Sequence, residues 1–203
     1  MSDPLLLIGC GGHARSLIDV VESSARWHVL GLVGLPEQVG EKVLGYSVVG
    51  SDQDLPSLRQ KCDHALLAVG QIGLSSHRQR LASELERMAF VLPAVISGRA
   101  HVSRHAHVGS GTSVGHGVIV NAGAIVGDYC IVNSNALIEH DVVIGDYCHI
   151  STSALVNGGI KIGDSSFIGS GAVLREGLNL PPQTVISAGK RVMGWPIREV
   201  RTS

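Results

Sequence analysis

Glu139-His140-Asp141 sets one imidazole between two carboxylates, a grouping suited to moving a proton at neutral pH. Histidine titrates close to physiological pH and can take the proton from an attacking amine or hydroxyl. A neighbouring carboxylate orients the ring and raises its basicity. Asp141 is the better-matched carboxylate and Glu139 the fallback. The alternative for His140 is an ordinary surface histidine.

A second grouping, Gly9-Cys10-Gly11-Gly12-His13-Ala14, follows an apolar run and precedes an amphipathic one, which fits a strand, a tight turn and a helix. Glycines at such a turn let backbone N–H groups approach a phosphate at the positive end of a helix. A nicotinamide cofactor would also call for an acidic residue about 20 positions onward. That place holds Val33-Gly34-Leu35-Pro36, so NAD is not expected. The turn either contacts a phosphate or nucleotide sugar, or serves only to pack strand against helix.

Other chemistry-bearing residues are read less sharply. His101, His105 and His107 suggest a metal, yet His101 and His107 fall on different faces of the repeat described next, and the cluster is read as solvated. Cys10, Cys62, Cys130 and Cys148 lack zinc or redox spacing, and none is expected to be exposed. No metal is expected.

The element that must position His140 is a repeat. From Ile96 to Ile186 every sixth residue is aliphatic, sixteen times without a break. A helix would repeat near 3.6 and a single strand at 2, so a period of six requires a parallel β-helix. Residues two positions earlier, among them Ala124, Cys130, Ala136 and Cys148, are small and share the inward face. Three hexads close one coil of about 18 residues, and coils stack about 4.8 Å apart. The run makes roughly five coils, with Cys130 and Cys148 stacked in its core. Triangular section and left-handed winding are implied by likeness to proteins with such hexads, against the usual right-handed rule.

On this frame His140 lies at a coil corner, exposed, with small neighbours Ala122 and Gly158 one coil away on either side and room for a ligand. His149 faces outward between Ile131 and Phe167, as a ligand contact or as solvated surface. Gly158 either offers its amide to a thioester oxygen as charge develops or is a plain corner glycine.

Before the hexads, strands and helices alternate. Strands are expected at Leu5–Ile8, Val29–Val33, Val43–Val49 and Ala65–Val69, and helices at Ala14–Ser24, Leu55–Cys62 and Ser75–Met88. The chain therefore divides into residues 1–93, a small Rossmann-like α/β domain with a parallel sheet, and 94–203, the β-helix. A net charge of −1 and an aromatic content of 3% argue against nucleic acid as partner. The apolar run at the amino terminus is too short for a signal peptide or a membrane span, so a cytoplasmic protein with no membrane partner is expected.

With these residues in hand, the chain resembles the sialic-acid O-acetyltransferases and nucleotide-linked amino-sugar N-acetyltransferases of bacterial surface-glycan pathways. The likeness rests on Ile8-Gly9-Cys10-Gly11-Gly12-His13-Ala14-Arg15, Ala68-Val69-Gly70, Ile138-Glu139-His140-Asp141 and Gly189-Lys190-Arg191-Val192. It implies a homotrimer with active sites between subunits, acetyl-CoA as co-substrate, and a nucleotide-linked amino sugar held by the α/β domain. It further implies His140 as general base, Asp141 as its carboxylate and His149 as a second active-site histidine. Asn133 would sit near the acceptor amine, and Gly158 would meet the acetyl carbonyl. Gly11, Gly12 and His13 would form the nucleotide-sugar turn, with Gly189 and Lys190 near CoA. Relatives commonly carry aspartates after the second strand that help read the base, whereas this chain has Gly34-Leu35-Pro36-Glu37.

The expected activity is acetyl transfer from acetyl-CoA to the amino group of a nucleotide-activated deoxysugar. O-acetylation of a sialic-acid-like sugar, a non-catalytic sugar-nucleotide-binding trimeric scaffold and, more distantly, a metal-dependent hydratase are the other readings.

Overall fold

The computed structural model describes residues 2–71 and 76–196. The amino-terminal part opens with strand β1 (Asp3–Ile8), helix α1 (Gly12–Glu22) and strand β2 (Trp27–Gly34). The hairpin β3 (Lys42–Val43) and β4 (Tyr46–Ser51), helix α2 (Leu55–Arg59), strand β5 (Ala65–Leu67) and helix α3 (Ser76–Arg87) follow. Ser75, expected to start the last helix, lies outside the described residues.

The sheet order is β3-β4-β2-β1-β5. Its four longer members run parallel, but β3 runs antiparallel to β4, so the sheet is mixed rather than wholly parallel. The cause is local: Leu44 and Gly45 adopt φ of 50° and 91°, which folds the chain straight back into a hairpin. Leu5 and Leu7 pack toward α1, while Leu6 and Ile8 pack toward α2 and α3, as strand alternation requires.

Two-residue strands then recur every six residues, from β6 (Val95–Ile96) to β22 (Arg191–Val192), in three parallel stacks of six, six and five. They form a left-handed β-helix. Face I holds the strands starting at Val95, Ser113, Ile131, His149, Phe167 and Val185. Face II holds those from His101 to Arg191, and face III those from His107 to Asn179. Register advances by one coil: Ile131 pairs with Ser113 below and His149 above. The aliphatic column fills the axis, extended by Val192 at the end, and Cys130 and Cys148 are buried within it. Each fully buried aliphatic side chain contributes about 1.5–3 kcal/mol, so the uninterrupted column is the main source of rigidity.

The α/β part lies on face I. Its α1 side meets the corner between faces I and II, where Ser23 Oγ stands 3.2 Å from Ser97 Oγ. Its α3 side meets the corner between faces III and I: Arg78 Nη2 donates to the Tyr129 carbonyl at 3.1 Å and Gln79 Nε2 to Ser165 Oγ at 2.9 Å. The outward residues Val95, Ser113, Ile131 and His149 of face I are thereby buried. Faces II and III keep Ile119, Leu155, Ile125 and Val143 exposed.

Candidate active site

His140 stands on the corner between faces II and III, on the edge opposite the face that carries the α/β part. Its side chain is 65% exposed, and Nδ1 lies 2.9 Å from Asp141 Oδ2. A carboxylate at that distance fixes the proton on Nδ1 and leaves Nε2 as the basic atom. Asp141 reaches back because its backbone is left-handed, φ 59°, a conformation that Asp tolerates better than most residues. A Cβ at Gly123, one coil below, would collide with that carboxylate. Glu139 turns away, accepting from Asn121 Nδ2 at 2.9 Å. The Asp141 hydrogen bond raises the His140 pKa above its ordinary value against an opposing effect of desolvation, with the charges of Asp141 and Glu139 adding to the rise.

Gly158 behaves differently from a spacer that leaves room for a ligand. The imidazole itself lies over it, and a Cβ there would stand 2.7 Å from Nε2 and 2.8 Å from Cε1 of His140. Close approach, rather than an unusual φ, therefore requires glycine at this position. Among the described residues its amide N–H has no hydrogen-bond acceptor.

The Gly-rich turn opens a separate cavity of about 520 Å³ at the carboxyl ends of the parallel strands, within the size range of small-molecule sites. Gly11, Gly12 and His13 line it beside the first turn of α1, whose N-cap has no side-chain partner. Gly9, at φ 121°, lets the chain turn there. Cys10 lines the same cavity and is half-buried, whereas Cys62, Cys130 and Cys148 are buried. Burial and the charge of Glu41 push its thiol up, so it stays protonated and donates to Gln38 Oε1 at 3.1 Å.

Between this cavity and face I lies a buried polar cluster that the sequence did not reveal. His149 faces out of the coil as expected, but it is only 8% exposed because the α/β part covers it. Its Nδ1–H donates to the Gln71 carbonyl at 2.6 Å, and its ring meets Phe167 edge-on at 5.1 Å. Arg78, 2% exposed, donates to the carbonyls of Val69 and Tyr129. Burial, then the Arg78 charge, then His149 hold His13 down to about 3, and burial likewise lowers His149. Both rings are neutral, and Nε2 of each is buried without a hydrogen-bond partner among the described residues.

On the corner between faces I and II, Ser97 Oγ, His116 and Asp19 follow one another at 2.6 and 2.8 Å, the order of a nucleophilic triad. Ser97 is 2% exposed, and its oxygen already accepts from the Arg99 N–H at 3.0 Å. The array therefore fastens α1 to the β-helix and offers no open nucleophile. Asn133, expected near the acceptor amine, lines a cleft of about 120 Å³ beside it. Gly189 and Lys190 lie on the same corner higher up. Within one chain the expected residues thus separate into two groups, His140, Asp141 and Gly158 on one edge and the rest at the cavity, face I and the I/II corner. Among the described residues no cluster suits a metal ion, and no helix is long and apolar enough to cross a membrane.

Residues 4–85 match the family model of the PglD N-terminal domain, and residues 141–176 match the bacterial transferase hexapeptide (six repeats). No curated protein matches by sequence. Among solved structures, a mutant of perosamine N-acetyltransferase from Caulobacter crescentus, in complex with CoA and GDP-perosamine, is 32% identical. It covers 94% of this chain and 88% of that one, with a TM-score of 0.86. The acetyltransferase domain of PglB from Neisseria gonorrhoeae, in complex with acetyl coenzyme A, is 28% identical over 95% of this chain and 93% of that one, TM-score 0.84. WeeI from Acinetobacter baumannii, at 22% identity, 95% coverage of each chain and a TM-score of 0.71, shares the fold. On the strength of near-full-length likeness to perosamine N-acetyltransferase, the chain belongs to the hexapeptide-repeat family of nucleotide-linked amino-sugar N-acetyltransferases.

Proposed function

We propose that this protein transfers the acetyl group of acetyl-CoA to the amino group of a nucleotide-activated amino-deoxysugar, in the cytoplasmic stage of bacterial surface-glycan synthesis. One observation carries the reading: an imidazole tied through Nδ1 to Asp141, with Nε2 open above the glycine of the next coil. His140 Nε2 takes the proton of the attacking amine as the nitrogen–carbon bond forms at the thioester. The Gly158 N–H, free of other acceptors among the described residues, meets the oxyanion. The carbon–sulfur bond then breaks, and the proton passes from His140 to the CoA thiolate. The raised thiol of Cys10 disfavours a covalent acetyl-enzyme.

The nucleotide sugar lies in the cavity at Gly11, Gly12 and His13, its phosphates against the first amides of α1. Since His140 is on the edge away from that cavity, a second copy must bring its own II/III corner to the I/II corner. A homotrimer does this three times over and covers exposed Ile119, Leu155, Ile125 and Val143. The cleft so formed holds Asn133 beside the amine, His149 at its base and Gly189 and Lys190 against CoA, with the Lys190 ammonium for its phosphates. On this reading residues 1–93 serve the sugar nucleotide and residues 94–203 acetyl-CoA.

The test is release of free CoA thiol when the protein is given acetyl-CoA and a panel of nucleotide-linked amino sugars. Turnover with an amino sugar, and none with its hydroxyl counterpart or with a free nonulosonate, is expected. Turnover only with the nonulosonate would reassign the acceptor to a hydroxyl.

A further inference from the structure

The reading above leaves the nucleobase open, and resting on that reading, the cavity points to a choice. Its polar wall on the β2 and β4 side is formed by Gln38 and Asp52. The acceptor of Gln38 is already committed, its Oε1 accepting from the Leu35 N–H at 2.9 Å and the Cys10 thiol at 3.1 Å, so the side chain offers the cavity a donor and no acceptor. Asp54, two residues from Asp52, is also committed, accepting from the N–H and Oγ of Ser51 at 2.8 and 3.0 Å. Asp52 is exposed and lines the cavity, and its carboxylate has no hydrogen bond or ion pair among the described residues. It is also the one carboxylate on the cavity wall among the described residues. Val33 and Leu35 supply apolar surface next to it for the face of a ring.

With the pyrophosphate at the first turn of α1, a nucleoside extends past the end of β2 toward Asp52. A carboxylate offers two acceptors side by side, and it is satisfied by a base edge that carries two adjacent N–H donors. Guanine carries such an edge, at N1–H and the exocyclic amine. Uracil and thymine present one N–H flanked by two carbonyls, which the carboxylate repels. Adenine presents its amine beside a ring lone pair. We infer that Asp52 reads the Watson–Crick edge of guanine, so that the substrate is a guanosine-diphosphate-linked amino sugar.

Calorimetric titration of the full chain with GDP, IDP, UDP, dTDP and ADP, without acetyl-CoA, tests this. IDP keeps N1–H and lacks the exocyclic amine, which isolates one of the two contacts. GDP should bind about tenfold or more tighter than UDP, dTDP or ADP, the scale of a two-point base contact. IDP should fall between them, and Asp52→Asn should bring GDP and IDP to the same affinity. As Asp52 is exposed and unpaired, that variant should fold normally, as its unfolding temperature will report. Equal binding of all five, a preference for UDP, or a GDP-over-IDP preference that survives Asp52→Asn would each overturn the inference. None of these bears on acetyl transfer, which thiol release measures separately.

Discussion

His140 and His149 stand half a coil apart on one prism, the first on the corner between faces II and III and the second on face I, and the two places treat an imidazole in opposite ways. At the corner, Asp141 and open solvent favour the cation and the pKa rises. On face I, cover from the α/β part removes water, Arg78 adds a like charge, and the pKa falls. Both residues sit outside the coil, and the hexads treat them almost alike. What separates them is whether another part of the molecule docks over the position. A ring that must accept and return a proton needs the first environment, and one that holds a fixed neutral hydrogen bond suits the second.

The largest effect should come from removing the exposed ring. His140→Ala should lower kcat by about 10²–10⁴-fold while leaving the dissociation constants for acetyl-CoA and nucleotide little changed, as steady-state rates and calorimetry will read. A variant with near wild-type turnover would erase the contrast between the two histidines.

Gly158→Ala should come next, with kcat down about 10- to 100-fold, because the added methyl lies 2.7 Å from His140 Nε2 and must push the ring aside. Its nucleotide affinity should be unaffected, since the cavity is on another face.

Asp141→Asn sharpens the comparison through pH. The proposed mechanism uses the neutral ring as base, so kcat should rise with pH through a midpoint above 6.5, the unperturbed value from which His140 is raised. Removing the carboxylate withdraws support for the cation. The midpoint should move down toward 6.5, and the plateau should drop about tenfold as the ring loses its orientation.

Much of this arrangement was legible in the sequence, because a period of six with no insertion leaves one geometry for the β-helix. That geometry determines which residues share a coil corner, hence His140 over Gly158 and beside Asp141. The covered state of His149 was not legible, since it depends on Gln71 and Arg78, which lie 78 and 71 positions away in the chain, rather than on the hexad spacing. The Ser97–His116–Asp19 fastening escaped for the same reason, with 97 residues separating His116 from Asp19. The antiparallel β3 edge turned on two left-handed residues, Leu44 and Gly45, of which only the glycine signals itself.

A smaller effect should appear in stability. His13 has a folded pKa of about 3 against 6.5 for the free group, so the unfolded chain binds the extra proton between those values. Stability should be complete above pH 6.5, decline as pH falls toward 3 and level off below it. His13→Gln should flatten that decline by on the order of 3 kcal/mol between denaturant titrations at pH 4 and pH 7.

The central claim is that catalysis joins the II/III corner of one copy to the cavity of another, and mixing two inactive variants tests it most directly. His140→Ala keeps its cavity, and Gly12→Trp, which fills the cavity mouth, keeps its His140 corner. Unfolded together and refolded as mixed oligomers, they should recover acetyl transfer to roughly a quarter of the wild-type rate, the share of randomly paired neighbours in which both halves are intact. A mixture no more active than either variant alone would contradict the account.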